Sequence, residues 1–232
     1  MKIGIIAAMA SEQKLLAKGM ENHTECRDGL FSYIEGTMGH NDISLMQCGI
    51  GKVNAAIGTA ELIRHFQPDC IISTGVAGGI DSCLRVMDVV VSESIVYHDV
   101  WCGEGNAYGQ VQGLPTFFHG DKTLFSCAIS IDTETAVHGG LICSGDKFIT
   151  EKKELKEIKR NFPDGLAVDM ESAAIAQVCY LHSVPFLSFR IISDTPGVDN
   201  HFSQYLNFWG EMAERSFKVT NAFLKALPYQ LK

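Results

Sequence analysis

The chain has 232 residues, 46% of them hydrophobic, with a formal net charge of −8 and a pI near 5.4. That length and apolar share suffice for one well-packed domain over residues 1–232, and no composition shift divides it. The acidic balance excludes a basic nucleic-acid-binding face, and the apolar run 2–8 is too short to span a bilayer.

In chain order, residues 2–8 read as a buried strand, and Ser11 as the cap of a helix to about residue 18 with Leu15 and Leu16 inward. Strands at about 31–37 and 43–48 form a hairpin around His40-Asn41-Asp42. Gly49-Ile50-Gly51 opens a helix through about 66, with Val53, Ala56, Leu62 and Ile63 as its apolar stripe. Residues 70–74 are a strand that Gly75-Val76-Ala77-Gly78-Gly79 breaks, and 86–92 are another. Residues 99–118 are Gly-rich and irregular, a length of loop expected over a pocket or at a subunit contact. A helix at 121–129, a strand at 139–145, a charged helix at 151–160, a strand at 166–169, a helix at 170–181, a strand at 186–193 and a closing helix at 203–226 follow. Apolar strands alternating with helices predict a three-layer α/β domain: a mixed, largely parallel twisted sheet covered by helices, with ligands at the strand ends.

Two stretches carry the chemistry. In Val168-Asp169-Met170-Glu171-Ser172-Ala173-Ala174-Ile175-Ala176, Glu171 shares a helical stripe with Ala174, Ile175 and Val178, which turns its carboxylate inward. In Phe189-Arg190-Ile191-Ile192-Ser193-Asp194 an acid ends an apolar strand. Carboxylates in such places are costly unless paired or used. Each has a plainer account: Asp169 as cap of the following helix, Asp194 as organiser of the turn Thr195-Pro196-Gly197, Glu12 as a partner of its helix dipole. Glycines 49, 51, 75, 78 and 79 follow strands but match neither a dinucleotide fingerprint nor a Walker loop, and turn chemistry accounts for them equally well.

Other chemistries find little support. The eight histidines and eight cysteines show no zinc spacing and no Cys-x-x-Cys, so no metal site and no cofactor are expected. The cysteines read as buried free thiols in a reducing compartment, and no signal peptide is visible, so a cytoplasmic location is expected. Tyr97-His98-Asp99 reads as a structural histidine or an acid–base pair, and no Gly-x-Ser-x-Gly elbow is present.

Taken together, the motifs resemble one family. Met1-Lys2-Ile3-Gly4-Ile5-Ile6-Ala7-Ala8-Met9 followed by Glu12, then Gly49-Ile50-Gly51-Lys52-Val53-Asn54-Ala55-Ala56, Thr74-Gly75-Val76-Ala77-Gly78-Gly79, Ser144-Gly145-Asp146-Lys147-Phe148-Ile149, Asp169-Met170-Glu171 and Ile192-Ser193-Asp194 stand in order and in register with the bacterial 5′-methylthioadenosine/S-adenosylhomocysteine nucleosidases. The resemblance implies a nucleoside phosphorylase-like fold, a homodimer, a small nucleoside substrate and hydrolysis of an N-glycosidic bond. It assigns Asp194 as the acid that protonates adenine at nitrogen 7, for which burial must raise its pKa. It assigns Glu12 to orient and deprotonate the attacking water and Glu171 to accept hydrogen bonds from the ribose hydroxyls. Phe148 is to stack on adenine, the Ile149 backbone to read its edge, Met170 to pack under the ribose, and Ala77 and Gly78 to let backbone approach the ligand, with Ile50 and Ser193 beside them.

Val76 replaces a frequent serine, which leaves water positioning by Glu12 open; Asp169 replaces a frequent glutamate. The stretch 100–108 departs from the family's more apolar one, so the preferred 5′ substituent is open. Four alternatives remain at this point: the nucleosidase, a phosphorylase of the same superfamily, a futalosine or aminodeoxyfutalosine nucleosidase, and a non-catalytic nucleoside-binding protein.

Overall fold

The computed structural model describes residues 1–196, 198 and 200–231, with backbone only at 201 and 215; Gly197, the last residue of the expected turn after Asp194, lies outside them. Ten strands form one sheet: β1 (Lys2–Ala7), β2 (Glu21–Asp28), β3 (Phe31–Met38), β4 (Asn41–Gln47), β5 (Cys70–Gly79), β6 (Val89–Tyr97), β7 (Phe118–His119), β8 (Val137–Ser144), β9 (Gly165–Asp169) and β10 (Phe186–Asp194). The helices are α1 (Ala10–Ala17), α2 (Lys52–Phe66), α3 (Lys122–Ile129), α4 (Lys152–Asn161), α5 (Ser172–His182), α6 (His201–Asn207) and α7 (Ala213–Ala226), with a π-helical turn, Phe208–Met212, joining the last two. None among the described residues is long and apolar enough to cross a membrane.

The strand order is β10-β6-β8-β9-β5-β1-β4-β3-β2, and β10 also pairs with β5. The strands β5, β9, β8, β6 and β10 therefore close into a ring, from which β1 to β4 extend as an open wing. The sheet is mixed, as expected, but not largely parallel. Five described pairings are parallel (β1 with β4 and β5, β5 with β10, β6 with β8, β8 with β9) and five antiparallel. The two antiparallel pairings within the ring, β5 with β9 and β6 with β10, join strands far apart in the sequence.

Alternation along β1 distributes the core. Ile3, Ile5 and Ala7 pack with α1, α3 and α7 on one face. Ile6 packs with α2 and α5 on the other. Gly4 faces that second layer, where a Cβ would meet Ile71 and Leu62. The three-layer arrangement follows from this period-two pattern.

Several boundaries differ from the sequence reading, each for a physical reason. Strand β2 was not expected, because Glu-Asn-His-Thr-Glu-Cys-Arg-Asp has no apolar alternation; it is an exposed edge strand held by its ladder with β3. Helix α1 starts at Ala10 behind Met9 rather than at a Ser11 cap, because the Glu12 carboxylate turns back onto the free amides before it. Strand β5 does not break at Gly75. Gly75, Val76 and Ala77 continue in parallel register with Arg190, Ile191 and Ile192, so the glycines are strand residues in close packing. The cysteines are all free, but Cys83 and Cys102 are exposed rather than buried.

Candidate active site

The C-terminal ends of β1, β5, β9 and β10, with residues 147–149 that follow β8, line one pocket of about 100 Å³. Glu12, Glu171 and Asp194 all line it, although they come from the β1–α1 junction, the β9–α5 junction and the end of β10. Ile50, Ala77, Gly78, Phe148, Ile149, Met170 and Ser193 line it too.

Glu12 is 2% exposed. Its Oε2 accepts from the Ala8 and Met9 amides, both at 3.0 Å, and its Oε1 accepts from the Val76 amide at 3.0 Å. Burial raises its pKa above the ordinary carboxylate value, against the charge of Arg190 and those amide donors. The close approach of β5 requires Gly75. It has φ +152°, and a Cβ there would stand 2.5 Å from Glu12 Oε1 and 2.8 Å from Arg190 Nη1. The backbone amide at position 76 holds Glu12, so that anchor does not depend on a side-chain hydroxyl.

Glu171 is not inside a helix, as its apolar spacing suggested, but at the N-cap position of α5, which starts at Ser172. Its Oε1 accepts from the Gly51 amide at 2.9 Å, which ties it to the start of α2. Burial, and then the charge of Asp169, push its pKa up to about 7, opposed by Arg190 and the Gly51 amide.

Behind these two lies Arg190, 2% exposed inside β10. Its Nε donates to Asp169 Oδ2 at 2.7 Å, and its Nη2 to Ser73 Oγ at 2.7 Å and Ser172 Oγ at 3.0 Å. Asp169 Oδ1 accepts from the Ser172 amide at 3.3 Å and Oδ2 from the Ser172 hydroxyl. Asp169 is thus not the N-cap of α5, which is Glu171, but the last residue of β9; it accepts from the first helical residue and pairs with a buried guanidinium. Asp194, 2% exposed, accepts at Oδ1 from the Ser193 hydroxyl at 2.6 Å.

The space over Gly78 is not open to a ligand from every direction: a Cβ there would meet Pro196 Cγ at 2.7 Å. Phe148 is 44% exposed, and its ring meets Tyr205 edge-on at 5.7 Å. Val76, noted in the sequence beside Glu12, lines the pocket, as do Tyr205, Met9 and Pro196, to which the sequence assigned no pocket role. The Tyr205 hydroxyl lies 3.8 Å from Met9 Sδ, which brings α6 over the β1–α1 junction. No periodicity signals that contact. Within the chain, residues 99–118 do not line the pocket. Asp99 instead binds Lys52 Nζ at 2.9 Å and the Asp146 amide at 2.8 Å, while His98 is buried and its pKa is lowered by burial. Its Nε2 is buried with no hydrogen-bond partner among the described residues, so it is not the satisfied histidine of the structural reading.

Chemically, the pocket combines four carboxylates, Glu12, Asp169, Glu171 and Asp194, with an apolar and aromatic wall. The cation on its lining, Lys147, pairs with Glu154, and Arg190 behind it pairs with Asp169.

A family model described as the phosphorylase superfamily matches residues 2–225. A 5′-methylthioadenosine/S-adenosylhomocysteine nucleosidase of Haemophilus influenzae (strain PittGG) is 44% identical over 197 residues, 84% of this chain and 86% of that protein. The chain belongs to this nucleosidase family of the phosphorylase superfamily. The solved family member from S. pneumoniae, bound to the transition-state inhibitor MT-ImmA, superposes with a TM-score of 0.93 at 38% identity, covering 98% of this chain and 100% of that one. The one from Colwellia psychrerythraea 34H, in complex with adenine, gives 0.92 at 34% identity over 99% and 97%. The family's ligands in those two structures, an inhibitor and a free base, are small molecules.

Proposed function

We infer that this chain hydrolyses the N-glycosidic bond of 5′-methylthioadenosine and S-adenosylhomocysteine, releasing adenine and the thioribose product, as one nucleosidase domain over residues 1–232. The observation that carries the reading is the convergence of Glu12, Glu171 and Asp194 on one pocket.

Cleavage leaves positive charge on the sugar and negative charge on the departing base. Asp194, whose carboxyl is oriented by the Ser193 hydroxyl, supplies a proton to nitrogen 7 of adenine. Glu12, fixed by three backbone amides, orients the water and takes its proton. Glu171 keeps Oε2 for the ribose hydroxyls while Oε1 is held by Gly51, and its charge favours the cationic sugar. Phe148 stacks on the base, the Ile149 backbone meets its edge, and Met170 packs under the ribose beside Ile50, Ala77 and Gly78.

Phosphorolysis is disfavoured because phosphate needs free cationic donors, and Lys147 and Arg190 are already paired. Incubation with each thionucleoside, with and without phosphate, and assay of free adenine tests the reading. Equal release in both buffers is expected. No release from either substrate, or release only with phosphate, overturns it.

The reading extends to a homodimer in the cytoplasm, serving methionine salvage and disposal of S-adenosylhomocysteine. Ile50, Val53, Ile57 and Trp101 are each more than half exposed and lie on α2 and the 99–118 loop, which supports a covered face there.

A further inference from the structure

Far from the pocket, three ligand-type side chains converge. Cys26 and Tyr33 are opposed in the β2–β3 ladder, and Glu35 and Asp28 stand two residues along on the same face. His65, in the last turn of α2, lies over that face and stacks on Tyr33 at 4.2 Å and 13°. The thiol of Cys26, a Glu35 oxygen and a His65 nitrogen all lie within 4.8 Å of one another. The other end of α2 meets Glu171 through Gly51, so the cluster sits about 20 Å from the pocket at 1.5 Å of rise per residue.

His65 carries the argument. Its Nε2 lies 2.9 Å from Glu35 Oε1, and its Nδ1 lies 3.4 Å from Asp28 Oδ2. A neutral imidazole has one N–H for these two carboxylates. Coordination through Nε2 uses the tautomer with Nδ1–H toward Asp28, which turns Nε2 to Glu35 and the thiol. A carboxylate behind a histidine whose other nitrogen binds metal is the usual outer-shell arrangement. Asp28 is held for that role by Arg64 Nη2 at 2.7 Å. The Tyr33 hydroxyl is buried and has no hydrogen-bond partner among the described residues, so the site is roofed by a ring and walled from solvent on that side.

We propose that Cys26 Sγ, Glu35 and His65 Nε2 form a zinc site that ties the edge strand β2 to the C-terminal end of α2. Thiolate, carboxylate and neutral imidazole are zinc's ligand types, and two negative charges balance the ion. Ligands of one tetrahedral zinc stand roughly 3.5 Å apart, so the present spacing closes by side-chain rotation. On binding, the Cys26 S–H bond breaks, its proton passes to solvent and the sulfur pair forms the bond to the metal. The ligands' wide separation in the chain gives no spacing motif, which is why none was expected.

The test uses reduced, chelator-stripped full-length protein in which the exposed Cys83 and Cys102 are serine. Added Co²⁺ is expected to give a thiolate charge-transfer band that saturates at one equivalent and is displaced by Zn²⁺, and Zn²⁺ is expected to raise Tm. Cys26→Ser should lose the band and the Tm shift while releasing adenine at the unaltered rate, and Glu35→Gln or His65→Gln should weaken Zn²⁺ binding at least about tenfold. Absence of the band from the parent protein, or an unchanged band or Zn²⁺ affinity in Cys26→Ser, overturns the site.

Discussion

Arg190 Nε donates to Asp169 Oδ2 at 2.7 Å with both groups buried beneath the carboxylates of the pocket. The pair joins the end of β9 to the middle of β10, so its loss is expected to act on stability as well as on the site. Arg190→Met leaves the Asp169 charge uncompensated and should cost about 3–5 kcal/mol in urea denaturation. Adding Asp169→Asn to Arg190→Met should recover part of that loss; no recovery would mean that the guanidinium stabilises through its serine partners instead.

Asp194→Asn removes the only proton the proposed mechanism offers the base. Turnover of 5′-methylthioadenosine should fall by about 10²–10⁴ while its binding in equilibrium dialysis changes little. A riboside whose leaving group departs without protonation should be cleaved by the variant at a rate close to the parent's. Equal losses on both substrates would remove the acid role.

Glu12→Gln keeps the shape of the side chain and removes the base, so kcat should fall by about 10²–10⁴ with KM nearly unchanged. Because burial raises the Glu12 pKa, the acid limb of kcat/KM should lie above pH 4.5. Gly75→Ala, which drives a Cβ against Glu12 and Arg190 from a left-handed φ, should lower both kcat and Tm. Val76→Ser should change kcat less than tenfold, since the amide that holds Glu12 is already present.

Glu171 gives a pH dependence of known sign. Its folded pKa of about 7 exceeds the ordinary 4.5, so the folded chain binds more protons than the unfolded one between those values. This group's contribution to stability is therefore greatest below pH 4.5 and declines up to about pH 7. Ribose hydroxyls donate to the ionised form, so inhibitor affinity should rise over the same interval. In Glu171→Gln, measured by calorimetry from pH 5 to 8, that rise should vanish; its persistence would assign the dependence to another group.

Much of the fold was legible in local pattern. Apolar runs such as Ile3 to Ala7 and Phe186 to Ile192 read as buried strands because their burial is set by composition. Strand β2 escaped because hydrogen bonding to β3, not apolar alternation, holds it. Glu171 was read as facing inward, and it does, but from the cap of α5; spacing alone does not distinguish a first helical turn from the residue before it.

Residue types and motif order thus determined the family resemblance, the alternation of strands and helices, and the acids at strand ends. Tertiary structure alone decided which groups meet: the closing of β10 onto β5, the Arg190–Asp169 pair, the seat of Tyr205 beside Met9, and the gathering of Cys26, Glu35 and His65. The reason is range. Propensity and periodicity act over a few neighbouring residues, whereas each of these contacts is created when separate elements pack on the two faces of one sheet.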